Sequence, residues 1–175
     1  SISASTTNRI YGDADPVLSW KVGGLGLVNG DVLTGALATS ATTASHVGSY
    51  AITQGTLAAS ADYRVTRFTG ATLNITARPI TISASTTNRI YGDADPVLKW
   101  RVGGLGLVNG DVLTGALASS ATTASHVGSY AITRGTLAAS SDYAVTRFTG
   151  ATLNVTARPI TVTADAESRA YGVAN

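Results

Sequence analysis

The sequence predicts a mainly-β protein made of tandem small domains, and three observations carry that expectation. An 80-residue segment is repeated, each copy holds short stretches rich in Thr, Val and alternating apolar residues, and no stretch supports a long helix. The run 1–80 returns as 81–160 with eight differences, so 72 of 80 positions match, and a third copy opens at Thr161. Eighty residues exceed a solenoid repeat and suffice for a small domain with its own core. The chain therefore divides into repeat 1 (1–79), repeat 2 (80–159) and the truncated start of a third (160–175).

Taken in order, Ile80, Ile82 and Ala84 alternate with Thr81, Ser83 and Ser85 and predict a first strand. Tyr11-Gly-Asp-Ala-Asp-Pro16 is dense in turn formers and leads to a second strand, Pro16 to Val22. In that strand Leu18, Trp20 and Val22 share one face, expected to turn inward. Val22 to Val28 is glycine-rich and apolar, with room for at most a short helical turn near Leu25 and with its leucines expected in the core. Asn29-Gly30-Asp31 is a tight-turn signal. Val32 to Leu37 reads as a third strand and Ala38 to His46 as a loop. Gly48 to Gly55 follows as a strand with Tyr50 and Ile52 inward, then Tyr63 to Phe68. In the last strand, Ala71 to Ala77, residues Ala71, Leu73, Ile75 and Ala77 face in while Thr72, Asn74 and Thr76 face out.

The differences between copies fit these faces. Ser19 becomes Lys99 and Lys21 becomes Arg101, both on the face without Trp. Arg64 becomes Ala144 between two inward neighbours, and the inward Ile75 loses a single methyl as Val155. Between the last strand of one copy and the first of the next lie only Arg78 and Pro79. Proline fixes its own φ and biases Arg78 to an extended conformation, so this joint lacks the reach of a Gly/Ser linker. Strands of about ten residues would make each domain roughly 35–40 Å long, and many copies in series a stiff rod.

Composition narrows the function. Apolar residues are 44% and charged residues 13%, which suits a folded chain and not a disordered one. Twelve Lys and Arg against ten Asp and Glu leave a net charge of +2, too little to suggest a polyanion partner. Cysteine is absent, which excludes disulfides, thiolate metal sites and thiol catalysis. Methionine is absent as well, including at position 1, which is expected of an internal fragment. No signal peptide is visible, and no apolar run approaches the ~18 residues of a membrane helix.

The chemistry-bearing residues are few. His46 and His126 each stand alone in a repeat, and Ser45 beside His46 does not make a triad, so a loop or strand-edge role is expected. Asp13, Asp15, Asp31 and Asp62 could offer oxygens to calcium, but without EF-hand spacing, and Asp beside Gly or Pro normally closes turns. Gly23 to Gly30 fails both the dinucleotide and the P-loop pattern. Arg64 and Arg67 beside Tyr63 and Phe68 form no basic cluster, and nucleic acid is not an expected partner. Asn74-Ile-Thr76 and Asn154-Val-Thr156 are N-glycosylation sequons, relevant only in a eukaryotic secretory pathway. No lysine recurs at one position to support an intramolecular isopeptide bond. No catalytic, cofactor-binding or metal-ligating residue is expected, and no enzyme.

Four motifs in fixed order carry a family likeness: Arg9-Ile-Tyr-Gly-Asp-Ala-Asp-Pro16, Gly26-Leu-Val-Asn-Gly-Asp31, Val47-Gly-Ser-Tyr-Ala-Ile-Thr-Gln-Gly55 and Ala71-Thr-Leu-Asn-Ile-Thr76. Together they resemble the MBG domain, YGX type, of bacterial surface proteins, over both copies. The third copy departs where Val173 stands for Asp13 and Asp93. The resemblance implies a β-grasp-like fold, with an immunoglobulin-like sandwich as the alternative, and an extracellular place on the bacterial surface. Such domains recur in tandem in adhesins, including filamentous-haemagglutinin-like exoproteins. The expected role is a stalk that projects a distal binding domain, with repeated weak glycan or protein binding as the competing role. Expected partners are neighbouring repeats of the same chain, with a host or matrix ligand reached through other domains. No membrane insertion is expected, and the chain is expected to be a monomer.

Overall fold

A computed structural model describes residues 1–172, and among these no helix forms. Repeat 1 contains β1 (Ile2–Ala4), β2 (Thr7–Ile10), β3 (Trp20–Val22), β4 (Ala38–Thr39), β5 (Gly48–Thr53), β6 (Phe68–Thr69) and β7 (Ala71–Thr76). Repeat 2 follows with β8 (Arg78–Ala84), β9 (Thr87–Ile90), β10 (Trp100–Gly104), β11 (Ala118–Ser119), β12 (Gly128–Thr133), β13 (Tyr143–Thr149) and β14 (Ala151–Thr156). The mainly-β expectation holds.

Each repeat folds into two small sheets. In the three-stranded sheet the first strand is central: β1 pairs antiparallel with β3 and parallel with β6, as β8 does with β10 and β13. The four-stranded sheet has the order β4-β5-β7-β2 in repeat 1 and β11-β12-β14-β9 in repeat 2, with β2 and β9 parallel to their neighbours. The alternation read from 71–77 is realised, since Leu73 and Ile75 are buried and Thr72 and Thr76 exposed. Ile2, Ile52 and Leu57 complete the core of repeat 1, and Ile80, Ile82, Ile132, Leu137 and Leu153 that of repeat 2. The Asn29-Gly30 turn also forms: both residues take positive φ, +57° and +75°, and the Asp31 amide donates to the Val28 carbonyl.

Several expectations give way. Only Trp20–Val22 of the second predicted strand pairs, and Trp20 and Trp100 are over a third exposed, so neither is a core residue. β3 and β10 lie at sheet edges, where alternation does not guarantee cover on the inner face. The segment 32–37 contributes one isolated bridge, Thr34 to Ala58, in place of a strand. Leu25, expected in the core, is fully exposed. The longest strands have seven residues, short of the ten assumed for the rod length.

β2 and β9 escape pattern reading because their buried residue is charged. Arg9, 6% exposed, donates from Nε to Asp15 Oδ1 at 2.6 Å and from its terminal nitrogens to the carbonyls of Ile10 and Thr42. Arg89 repeats this with Asp95, Ile90 and Thr122. A buried guanidinium persists only with its donors satisfied, and the Asp of the turn and two carbonyls meet that need.

Truncating a leucine at the centre of either core, Leu73→Ala or Leu153→Ala, is expected to destabilise its own repeat by about 2–5 kcal/mol. Urea unfolding should show this as a lower midpoint, and an unchanged midpoint would contradict the cores described here.

Candidate functional site: the junction between repeats

Arg78 and Pro79 do not form a linker. They are the first two residues of β8, paired with Tyr143 and Ala144 of β13, and only Ala77 lies between β7 and β8. The joint is thus a strand passing from the sheet of one repeat directly into the sheet of the next.

Around that strand the repeats dock. The Arg78 guanidinium donates from Nη1 to the Tyr11 carbonyl (3.1 Å) and Asp13 Oδ1 (2.8 Å) on repeat 1. From Nε and Nη2 it donates to the carbonyls of Leu105 (2.9 Å from Nη2) and Gly106 (3.1 Å) on repeat 2. Its side chain is 12% exposed, whereas that of Arg158, at the open end of repeat 2, is 59% exposed. Tyr11 is buried at 3% and Tyr91, its counterpart, is 38% exposed. The Tyr11 ring meets Tyr143 edge-on at 5.5 Å, and its hydroxyl donates to Asp111 Oδ2 at 3.0 Å. The glycine-rich loop packs Leu107 and Val108 against the core as expected, while Leu105 stays half exposed and its carbonyl, with that of Gly106, forms the lip that receives Arg78.

A carboxylate completes the contact. Asp142 is 5% exposed; its Oδ1 accepts from the Val47 amide at 2.9 Å and its Oδ2 lies 2.7 Å from Nδ1 of His46. Burial opposes ionisation of Asp142, but the Val47 amide, His46 and the Ser140 hydroxyl outweigh it and hold the carboxyl below its ordinary value. The His46 imidazole is largely exposed, so the amide bond is the better shielded of the two contacts. Burial also pushes the Tyr143 phenol up to about 12, in the same direction as its bond to Asp111.

The side-chain pairs of both docking faces recur where no neighbouring repeat touches them. At the open end of repeat 2, Tyr91 stacks on His126 at 6.1 Å as Tyr11 does on His46 at 6.3 Å, and Arg158 holds Asp93 at 2.8 Å. At the open end of repeat 1, Tyr63 donates to Asp31 at 2.6 Å, as Tyr143 does to Asp111 at 2.7 Å. The paired strands differ more: the docked face of repeat 2 has β13 over Tyr143–Thr149 and β10 over Trp100–Gly104, where repeat 1 has β6 over Phe68–Thr69 and β3 over Trp20–Val22.

The sequence candidates end here or in structural pairs. Ser45 accepts from the Thr42 amide, while the His46 ring pairs with Asp142 and stacks on Tyr11, so the adjacent pair is no triad. Asp13 and Asp15 pair with arginines, Asp31 with Tyr63 and Asp62 with Ser60. Among the described residues no group of three or more His, Cys, Asp or Glu is placed to hold a metal. Val173 lies outside the described residues. Sequence reading missed the role of Arg78, Tyr11 and Asp142; their one signal was the short, constrained joint.

Small all-β units, joined strand to strand and docked face to face, define a tandem-module protein. The MBG domain (YGX type) family model matches residues 1–74 and 80–154, and the chain belongs to that family. No curated protein and no solved structure matches the chain.

Gly12 sits at φ +80° against the next repeat, where an added Cβ would lie 2.3 Å from Val108 Cγ2. Gly92 has the same conformation, and its nearest such neighbour is Arg158 Nη1 at 3.8 Å. Gly12→Ala is therefore expected to broaden the inter-repeat angle in small-angle scattering, while Gly92→Ala, with equal backbone strain, leaves it unchanged. The pH dependence follows from Asp142: with a folded pKa below the ordinary 3.8, its contribution is complete above that value and lost as pH falls through the depressed one. Fluorescence transfer between labels on the two repeats should report undocking in that acid window, and the loss attributable to Asp142 should be missing in Asp142→Asn.

Proposed function

We propose that this chain is a spacer segment in the stalk of a bacterial cell-surface adhesin, holding a distal binding domain away from the cell. The docked junction carries this reading. A spacer must transmit position along its length, and here each repeat is fixed to the next by a shared strand, a buried tyrosine, a bridging arginine and a buried carboxylate. The repeat-to-repeat contact is heterologous, one face meeting a different face, so the same contact can recur with each added copy. Extracellular residence and the absence of catalysis belong to the same proposal, supported by the family and by a site built from structural pairs.

The competing reading, a repeated weak binder, draws on Trp20 and Trp100, each about one-third exposed on an edge strand at one repeat's spacing. Such sites would gain apparent affinity with copy number. Small-angle scattering and a glycan array separate the two. A spacer should scatter as an elongated particle with a narrow inter-repeat angle and give no glycan signal. A freely hinged pair, or glycan binding that Trp20→Ala abolishes, would overturn the spacer reading.

A further inference from the structure

We infer that each repeat is a tension-bearing module, in which a pull along the chain shears two parallel strands against each other. This rests on the spacer reading and goes beyond it. A spacer has to hold a distance, whereas this ladder also resists being pulled open.

Repeat 2 is built around two nearly continuous strands. β8 and β9 are separated only by Ser85 and Thr86, and β13 and β14 only by Gly150, so each pair runs from one sheet into the other. The two long strands lie side by side and parallel. Tyr143 pairs with Arg78 at one end, Thr149 with Ser83 midway, and Thr156 with Ile90 at the other end. Two further bonds close the ladder at its extremes. The Arg78 amide donates to the Asp142 carbonyl and the Tyr91 amide to the Thr156 carbonyl, both at 2.8 Å. Side chains hold the register as well. The Thr146 hydroxyl, at the bulge in β13, donates to the Ile80 carbonyl at 3.0 Å. Asn154 Nδ2 donates to Asn88 Oδ1 at 3.0 Å, and the Thr156 hydroxyl to the Arg89 carbonyl at 3.2 Å.

The chain enters repeat 2 at Arg78 and leaves it at Thr156, which lie at opposite ends of this ladder. Tension therefore slides one strand past the other and loads the ladder bonds together. Were the two strands antiparallel, entry and exit would sit at the same end and the bonds would open singly. Both strands that take the pull directly are interior to their sheets. β8 is held on its other side by β10, and β14 by β12. Ile80, Ile82 and Leu153 on these strands are fully buried, which keeps water from replacing the bonds from the core side until the ladder opens. Repeat 1 hands its load on in the same way, since β7 lies parallel to β2 and passes through Ala77 into β8.

Single-molecule force spectroscopy on the whole chain tests this. The sequence has no cysteine, so introduced cysteines are the only thiol attachment points. Handles at Ala77→Cys and Ala157→Cys pull repeat 2 along the ladder. Handles at Ala77→Cys and Ser141→Cys pull the two strands apart from one end and peel the same ladder. Ser141 and Ala157 are both exposed, so the two variants share one fold and differ in the direction of load. Forced unfolding is set by the unfolding barrier, and the shear pair is expected to rupture at a force at least about twofold above the peeling pair. Equal forces, or a weaker shear pair, overturn the inference. Scattering tests the spacer reading separately: a straight pair that shears as easily as it peels sinks only the tension-bearing role, and a hinged pair sinks the spacer.

Discussion

The Arg78 guanidinium is the constraint on which the arrangement of the repeats depends. It stands on the strand that joins them and donates to carbonyls on both sides, with Asp13 balancing its charge. A carbonyl acceptor is fixed by the backbone, so these bonds read the position of one main chain relative to the other and not merely the proximity of two flexible side chains. Because Arg78 also pairs within β8, its main chain cannot rotate without breaking the ladder to β13. The side chain and the backbone thus restrain the same hinge at different radii, and Tyr11 packs in the angle between them.

This changes the physical origin of stiffness. Proline at position 79 suggests a joint stiffened by restricted dihedrals alone, which would leave one rotatable residue, Ala77, to set the angle. The observed restraint is docking. Buried apolar residues of repeat 1, among them Ile2, Tyr11 and Leu73, belong to one contiguous cluster with Ile80, Ile82, Leu113, Leu137 and Tyr143 of repeat 2. Bending the joint therefore means exposing apolar surface and parting Asp142 from the Val47 amide, a cost that a two-residue linker could not impose.

What could be read in the sequence was what is encoded locally. The period, the Asn29-Gly30 turn and the alternation of β5 and β7 depend on near neighbours or on self-comparison, and all three survive in the structure. What escaped depends on contacts distant in the chain. Thr7 to Ile10 looks polar because the buried residue is Arg9, whose acceptors lie at Asp15 and Thr42. Trp20 alternates like a core residue but sits on an edge strand with too little above it. Tyr11, in a motif dense with turn residues, is buried only because another repeat covers it, and Tyr91 shows that the same local sequence leaves it open. The candidate site was therefore legible as a short joint but not as an interface, since an interface between repeats leaves no periodicity inside either one.

None of the eight differences between the copies falls on a docking residue: Tyr11, Gly12, Asp13, His46, Val47 and Arg78 recur as 91, 92, 93, 126, 127 and 158, and Leu105, Val108, Asp111, Asp142 and Tyr143 as 25, 28, 31, 62 and 63. Every copy thus carries both halves of the contact, and the energetics become those of a one-dimensional array with an intrinsic stability for each unit and an interface term between neighbours. An inner copy receives two interface terms and an end copy one. Uncovered interface is accordingly confined to the ends of an array. Lengthening such an array adds a protected unit while leaving the same two ends, so the fraction of exposed interface falls as copies accumulate.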